Sequence, residues 1–233
     1  MPIPPHPNPS KIRYHPLMNT HPLLRSAILT AVLLITGCSS TSIAVREKLG
    51  TPKREQLVDR VDETRDAQVA AKEQFATTLD ELKSLTGYES SELEAAYRRV
   101  KMQHDRSNDR AERVSGKIKA VDRVARALFK EWEAELKEYS TDSLRQASED
   151  QLDETRDRYE DVIVAMRKAE AKMGPVLAAF NDQVLFLKHN LNARAIASLG
   201  GTLVELETEI ASLIADMEAS IDEANAFIDE MGS

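Results

Sequence analysis

"KREQLVDRVDETRDAQVAAKEQFATTLDELKSL", residues 53–85, decides the architecture. Leu57, Val61, Thr64, Gln68, Ala71, Phe75, Thr78, Leu82 and Leu85 recur at alternating spacings of four and three. That step keeps one narrow stripe facing a neighbour, which is how a helix packs along a seam. Thr51-Pro52 supplies the start: an N-cap, then a proline in the first turn, where its missing N–H costs nothing. Gly87 ends the pattern.

The same step continues outward. Ser91-x-x-Glu94 reads as a capping box. It opens a stripe of Leu93, Tyr97, Val100, His104, Ser107, Ala111, Val114, Ile118, Val121, Ala125, Leu128, Trp132 and Leu136. A turn at 139–143 leads to Leu152, Thr155, Tyr159, Val162, Met166, Ala169, Met173, Val176 and Phe180, with Pro175 expected to kink that helix. The last stripe is Ile196, Leu199, Leu203, Leu206, Ile210, Leu213, Met217, Ala224 and Phe227. Its phase runs through Gly200-Gly201, so the preceding turn is placed near His189–Asn192, with Gly200-Gly201 as the rival.

Short connections make neighbouring helices antiparallel. The expected fold is all-α, an elongated antiparallel four-helix bundle of long helices. The middle two, 91–139 and 142–189, are each about 48 residues, or roughly 70 Å. The outer two are shorter, so the hairpin of residues 127–152 is expected to project past them. Folding the first hairpin about residues 87–90 places Gln68 opposite Ser107 and near His104, a polar layer that would fix register. DETRD occurs at 62–66 and 153–157, each time with its threonine on the stripe.

Residues 1–37 differ in kind. They hold seven of the nine prolines, three basic residues and no acid. The run AILTAVLLI, residues 27–35, is too short to span a bilayer, which takes roughly 20 residues. It fits the apolar region of a secretory signal that starts at Met1 or at Met18. The run ends Ile35-Thr36-Gly37-Cys38, which resembles the lipobox of bacterial lipoproteins. On that reading Cys38, the single cysteine, becomes the acylated N-terminus. Several acyl chains then hold the protein on a membrane where one would not. Ser39 resembles the sorting signal for an outer membrane. The expected division is a signal peptide at 1–37, a tether at 38–50 with a short helix near 43–49, and a helical domain at 51–230.

Removing the leader's three basic residues leaves 28 Lys+Arg against 39 Asp+Glu, net −11 over 196 residues. Such a chain does not suit nucleic acid or anionic lipid as its main partner. Gly116-Lys117 has Ala111 where a phosphate-cradling loop needs its first glycine. His104 and His189 follow Lys101 and Phe186 by three residues, so the Glu-x-x-His pairs of di-iron bundles are missing. No catalytic residue, cofactor or metal is expected.

The stretches 53–75, ALFKEWEAELKEYS, MRKAEAKMGPVLAAFNDQVLFLKHNLNARAIASL and MEASIDEANAFIDEM resemble domain of unknown function 2959 over residues of about 52 to 230. These are bacterial coiled-coil proteins, often with a lipoprotein signal and sometimes labelled "DNA repair ATPase". The resemblance implies no established activity, and the ATPase label lacks its phosphate loop here.

One stretch departs from the stripe. Val184-Leu185-Phe186-Leu187 is apolar on all sides, and basic and amide residues follow at once. The plain reading is a bundle end with asparagines capping the next helix. The functional reading is a docking tip of Tyr88, Phe186, Lys188, His189, Asn190, Asn192 and Arg194, roughly 55–70 Å from the anchored end. The expected role is a non-enzymatic envelope lipoprotein, a spacer or scaffold. It would face the periplasm and engage an envelope protein or cell wall, with homo-oligomerisation left open. The alternatives are a cell-wall-related enzyme or regulator with an unrecognised site, or a cytoplasmic coiled-coil module.

Overall fold

The computed structural model describes residues 38–85 and 92–232. Their regular structure is helical: α1 (Cys38–Lys48), α2 (Lys53–Ser84), α3 (Leu93–Glu135), α4 (Asp142–His189), α5 (Ala193–Ser198) and α6 (Gly200–Gly232). The leader and the 86–91 connection, with Ser91 and Tyr88, lie outside the described residues.

The protein is an all-α bundle. α2 packs on α3 and α6, and α4 packs on the same two, so α2 and α4 face each other across the diagonal. Cross-helix pairs fix the directions. Glu63 meets Lys117 and Glu81 meets Arg99, while Lys72 meets Glu218 and Lys83 meets Glu207. Rising numbers on α2 thus face falling numbers on both flanks, the antiparallel arrangement expected from short connections.

The whole stripe of α2 is buried, its polar members included, and so are the α4 and α6 stripes. On α3, Tyr97, His104, Trp132 and Leu136 are half-buried and the rest buried. At the centre Phe75 and Phe180 stack across the diagonal with centroids 6.2 Å apart. Both DETRD threonines are buried, and each donates to the carbonyl four residues back: Thr64 to Arg60 and Thr155 to Gln151, both at 2.7 Å. Local bonding of this kind makes a buried hydroxyl cheap.

The polar layer differs from expectation. Ser107 Oγ lies 2.8 Å from Thr78 Oγ1, about three turns nearer the tip than Gln68. Gln68 is met from α6, where Ser220 Oγ donates to its Oε1 at 3.0 Å. His104 instead lies beside Asp105. Reckoning from the turn midpoint ignores that helical side chains lean toward their own N-terminus, which pushes antiparallel partners further along both chains. It also looked at one hairpin, whereas α2 has two flanks.

Boundaries differ slightly. Pro52 takes the N-cap position and α2 starts at Lys53. α3 ends at Glu135, earlier than expected. α4 runs uninterrupted through Pro175, whose ring stands on the exposed face. The chain turns at Asn190–Asn192 as expected, and the rival site is also marked. Helix breaks at Leu199, whose N–H reaches back three residues to Ile196 at 3.1 Å. The buried stripe Ile196, Leu199, Leu203 passes through that break.

α1 is longer than the expected 43–49. Gly50 has φ +93°, a left-handed turn that glycine adopts without strain. It brings Ile43, Arg46 and Glu47 of α1 to the first two turns of α2. There Arg46 pairs with Asp59 at 2.5 Å, and the buried amide of Gln56 donates to the carbonyls of Ile43 and Thr51. Lys53 bridges Glu47 at 2.5 Å and Glu131 at 2.8 Å. Burial lowers the Lys53 pKa, but the bonds to Glu131 and Glu47 outweigh it and hold the ammonium above its ordinary value.

Candidate functional site

The tip is built on the last turns of α4. Val184 and Leu187 point into the core, so the remaining two residues of the apolar run must face out. Leu185 is 50% exposed and Phe186 39%. Lys188, His189 and Arg194 are exposed around them. No carboxylate occurs from residue 183 to 204.

Asn190 does structural work here. Its Nδ2 donates to the Phe186 carbonyl at 2.9 Å and its N–H to Leu187 at 3.2 Å. It therefore closes the C-terminus of α4 rather than capping the helix that follows, and satisfies carbonyls the helix end leaves free. Asn192 accepts the Ile196 N–H at 3.1 Å and so opens α5. The structure thus brings Phe186, Lys188, His189, Asn190, Asn192 and Arg194 to one turn, two of them as scaffolding. Sequence reasoning missed Val204, which is 65% exposed at this end. Its signal was available: an apolar residue one position off the buried stripe.

Two half-buried carboxylates, Asp122 and Asp216, tie α4 to its neighbours. The Asp122 carboxylate receives Tyr159 Oη at 2.9 Å, Arg167 at 3.0 Å and Arg126 at 2.5 Å. Burial first, then the Asp122 bond, raises the Tyr159 phenol far above its ordinary pKa. On the other flank Asp216 holds Lys172 at 2.5 Å and Lys168 at 3.1 Å. The Lys172 bond keeps the Asp216 carboxyl below its ordinary pKa against the opposing effect of burial, and Lys168 adds to it.

A groove of about 500 Å³ runs between α3 and α4 where Gly116 and Gly174 leave the helices bare, with Ala111, Ser115 and Ala171 alongside. Its Asn108 donates to Glu112 at 3.0 Å. Among the described residues no three His, Cys, Asp or Glu side chains gather as a metal ion requires. No helix among them is long and apolar enough to cross a membrane.

A family model described as "Protein of unknown function (DUF2959)" matches residues 43–231, most of the chain. The chain belongs to this family. The DUF2959 match takes in α1 from Ile43 and all four bundle helices. No curated protein and no solved structure matches the chain.

Proposed function

We propose that this DUF2959 protein is a non-enzymatic envelope lipoprotein, a helical spacer held at Cys38 that presents its tip to another envelope component. The observation that carries the reading is the tip: exposed Leu185 and Phe186 beside Lys188, His189 and Arg194, on a mature chain of net −11. Charge contrast of that kind favours a specific, carboxylate-bearing partner over general adhesion. The Ile35-Thr36-Gly37-Cys38 motif supports the anchor and the periplasm-facing location, with Ser39 favouring the outer membrane. α2 alone spans 32 residues, about 48 Å by helix rise, so the bundle has the length a spacer needs.

Two measurements test it. Intact mass of the membrane-extracted protein should show loss of residues 1–37 and an acyl adduct, and Cys38→Ala should abolish both. Photo-crosslinkers at positions 186 and 188 should capture one discrete component in cells, while one at exposed position 112 should not. Mature protein without acyl mass overturns the anchor. Equal labelling at all three positions overturns the tip.

A further inference from the structure

α4 carries a second stripe, on its outer face. Val164, Ala171, Ala178 and Leu185 recur at seven-residue intervals, each two positions before a buried residue: Met166, Met173, Phe180 and Leu187. Two positions turn a helix by about 200°, so this stripe points away from the core. All four residues are exposed, Val164 by 53% and Leu185 by 50%.

The middle of the stripe is built at a cost to the single chain. Gly174 and Pro175 stand beside it inside the helix, and they are the two residue types least suited to a helix interior. A Cβ added at Gly174 would meet nothing within 4 Å, so no contact among the described residues calls for glycine there. Bare backbone of this kind lets a second helix approach closely.

Reversed end to end, the face is its own complement. Against a second α4 running the opposite way, positions equally far on either side of the Gly174–Pro175 bond meet. Val164 then meets Leu185, Ala171 meets Ala178, Arg167 meets Asp182 and Asp161 meets Lys188, and each pair forms twice. Glu160 falls to His189 and Lys168 to Asn181, so no like charges face each other. A parallel pair would instead set Arg167 on Arg167 and Asp182 on Asp182. Asp161, Asp182 and Lys188 make no ion pair among the described residues, and Arg167, though bonded to Asp122, is half exposed.

We propose that this face of α4 is an interface with a second copy of the chain, packed antiparallel about a twofold axis at Gly174–Pro175. A second copy supplies an apolar residue for each apolar position and an opposite charge for Asp161, Arg167, Asp182 and Lys188. Residues 1–37 bring three basic residues and no acid, so they cannot answer Arg167 or Lys188. An anionic bilayer cannot answer Asp161 or Asp182. The pairing goes beyond the tip reading and is separable from it. Phe186 lies about 100° round the helix from Leu185 and stays uncovered, so the pair carries one tip at each end.

The test is sedimentation of the full chain in detergent at several concentrations. The expected result is a monomer–dimer equilibrium whose mean mass falls on dilution. Ala178→Arg, in the middle of the stripe, should weaken pairing by more than about tenfold, whereas Ala211→Arg, exposed on α6, should change it less than about twofold. Asp161→Lys and Lys188→Asp should each weaken it about fivefold, and the two together should restore it. These residues are about 40 Å apart along one helix, so rescue can come only from contact between copies. Circular dichroism confirms that each variant folds. A monomer at every concentration up to about 1 mM overturns the proposal. So does a larger oligomer, a dimer indifferent to Ala178→Arg, or a double variant no better than the single ones. None of these outcomes bears on the tip, which the crosslinker at position 186 reads separately.

Discussion

Toward the tip four helices pack side by side; at the other end α3 and α4 run on past the Lys53–Glu131 and Arg158–Glu230 pairs. The same stripe of residues runs through both. Where four helices meet, Leu187 and Phe180 vanish from solvent; where two remain, the α4 stripe positions Ser148 and Arg145 are only half-buried. Burial here follows the number of neighbours rather than the residue type. The ends also differ in charge, since 183–204 has no acid while 131–157 has ten.

The largest effect expected from this contrast is in stability. Phe180→Ala removes one ring of the central stack and should cost about 3–5 kcal/mol in urea unfolding, whereas Leu144→Ala should stay within about 0.5 kcal/mol. Similar losses would mean that the hairpin is packed as tightly as the middle of the bundle.

The polar pairs sharpen the same point. Thr78 and Ser107 satisfy each other, so Thr78→Val should cost about 1–3 kcal/mol by leaving a buried hydroxyl short of its partner. Gln68 keeps a buried Nε2 that no group among the described residues accepts. Gln68→Leu together with Ser220→Ala, which removes both partners of the buried pair, should therefore raise stability by about 1 kcal/mol, read as a higher melting temperature. A fall would place a partner at that nitrogen.

The hairpin should open locally. Ser148→Ala removes the Trp132 bond, worth about 1 kcal/mol. Amide exchange should quicken in residues 143–151 and stay unchanged in 176–187. Quickening at both would show the two ends to be one cooperative unit.

The smallest effect is in acid. Because the folded Asp216 carboxyl sits below its unfolded pKa of about 3.9, its contribution is fully present above that pH and is lost as pH falls through the folded value. Asp216→Asn should flatten that part of the acid limb of the stability curve. A curve as steep as the wild type's would assign the acid sensitivity to other carboxylates.

The stripes of α2, α4 and α6 were legible in the sequence, because heptad spacing records which face is buried whatever the partner; on α3 the phase slipped at the start, where Ala96 is buried and Tyr97 half-buried. Even Gln68 and Thr78, polar and unpromising, were placed correctly by phase. Their partners were not legible, since pairing depends on side-chain lean and on α6, which lies far along the chain. At the tip, phase separates Leu185 and Phe186 from the buried Val184 and Leu187, but the inward use of Asn190 depends on where α4 ends. The projecting hairpin followed from helix lengths, yet its level was set by the Lys53–Glu131 contact rather than by residue 127.

The clip formed by Arg46, Gln56 and Lys53 also has a mechanical meaning. Tension applied to the chain ahead of α1 loads these polar contacts before it reaches the apolar core. They can yield singly, and paying out residues 42–50 would lengthen the protein by about 30 Å while the bundle stays folded. Stretched in an optical trap, the chain should show that short, low-force extension ahead of global unfolding, and Lys53→Met should bring it to lower force. The turn at Gly50 thus gives the chain slack, so that its end-to-end length is set by load as well as by helix length.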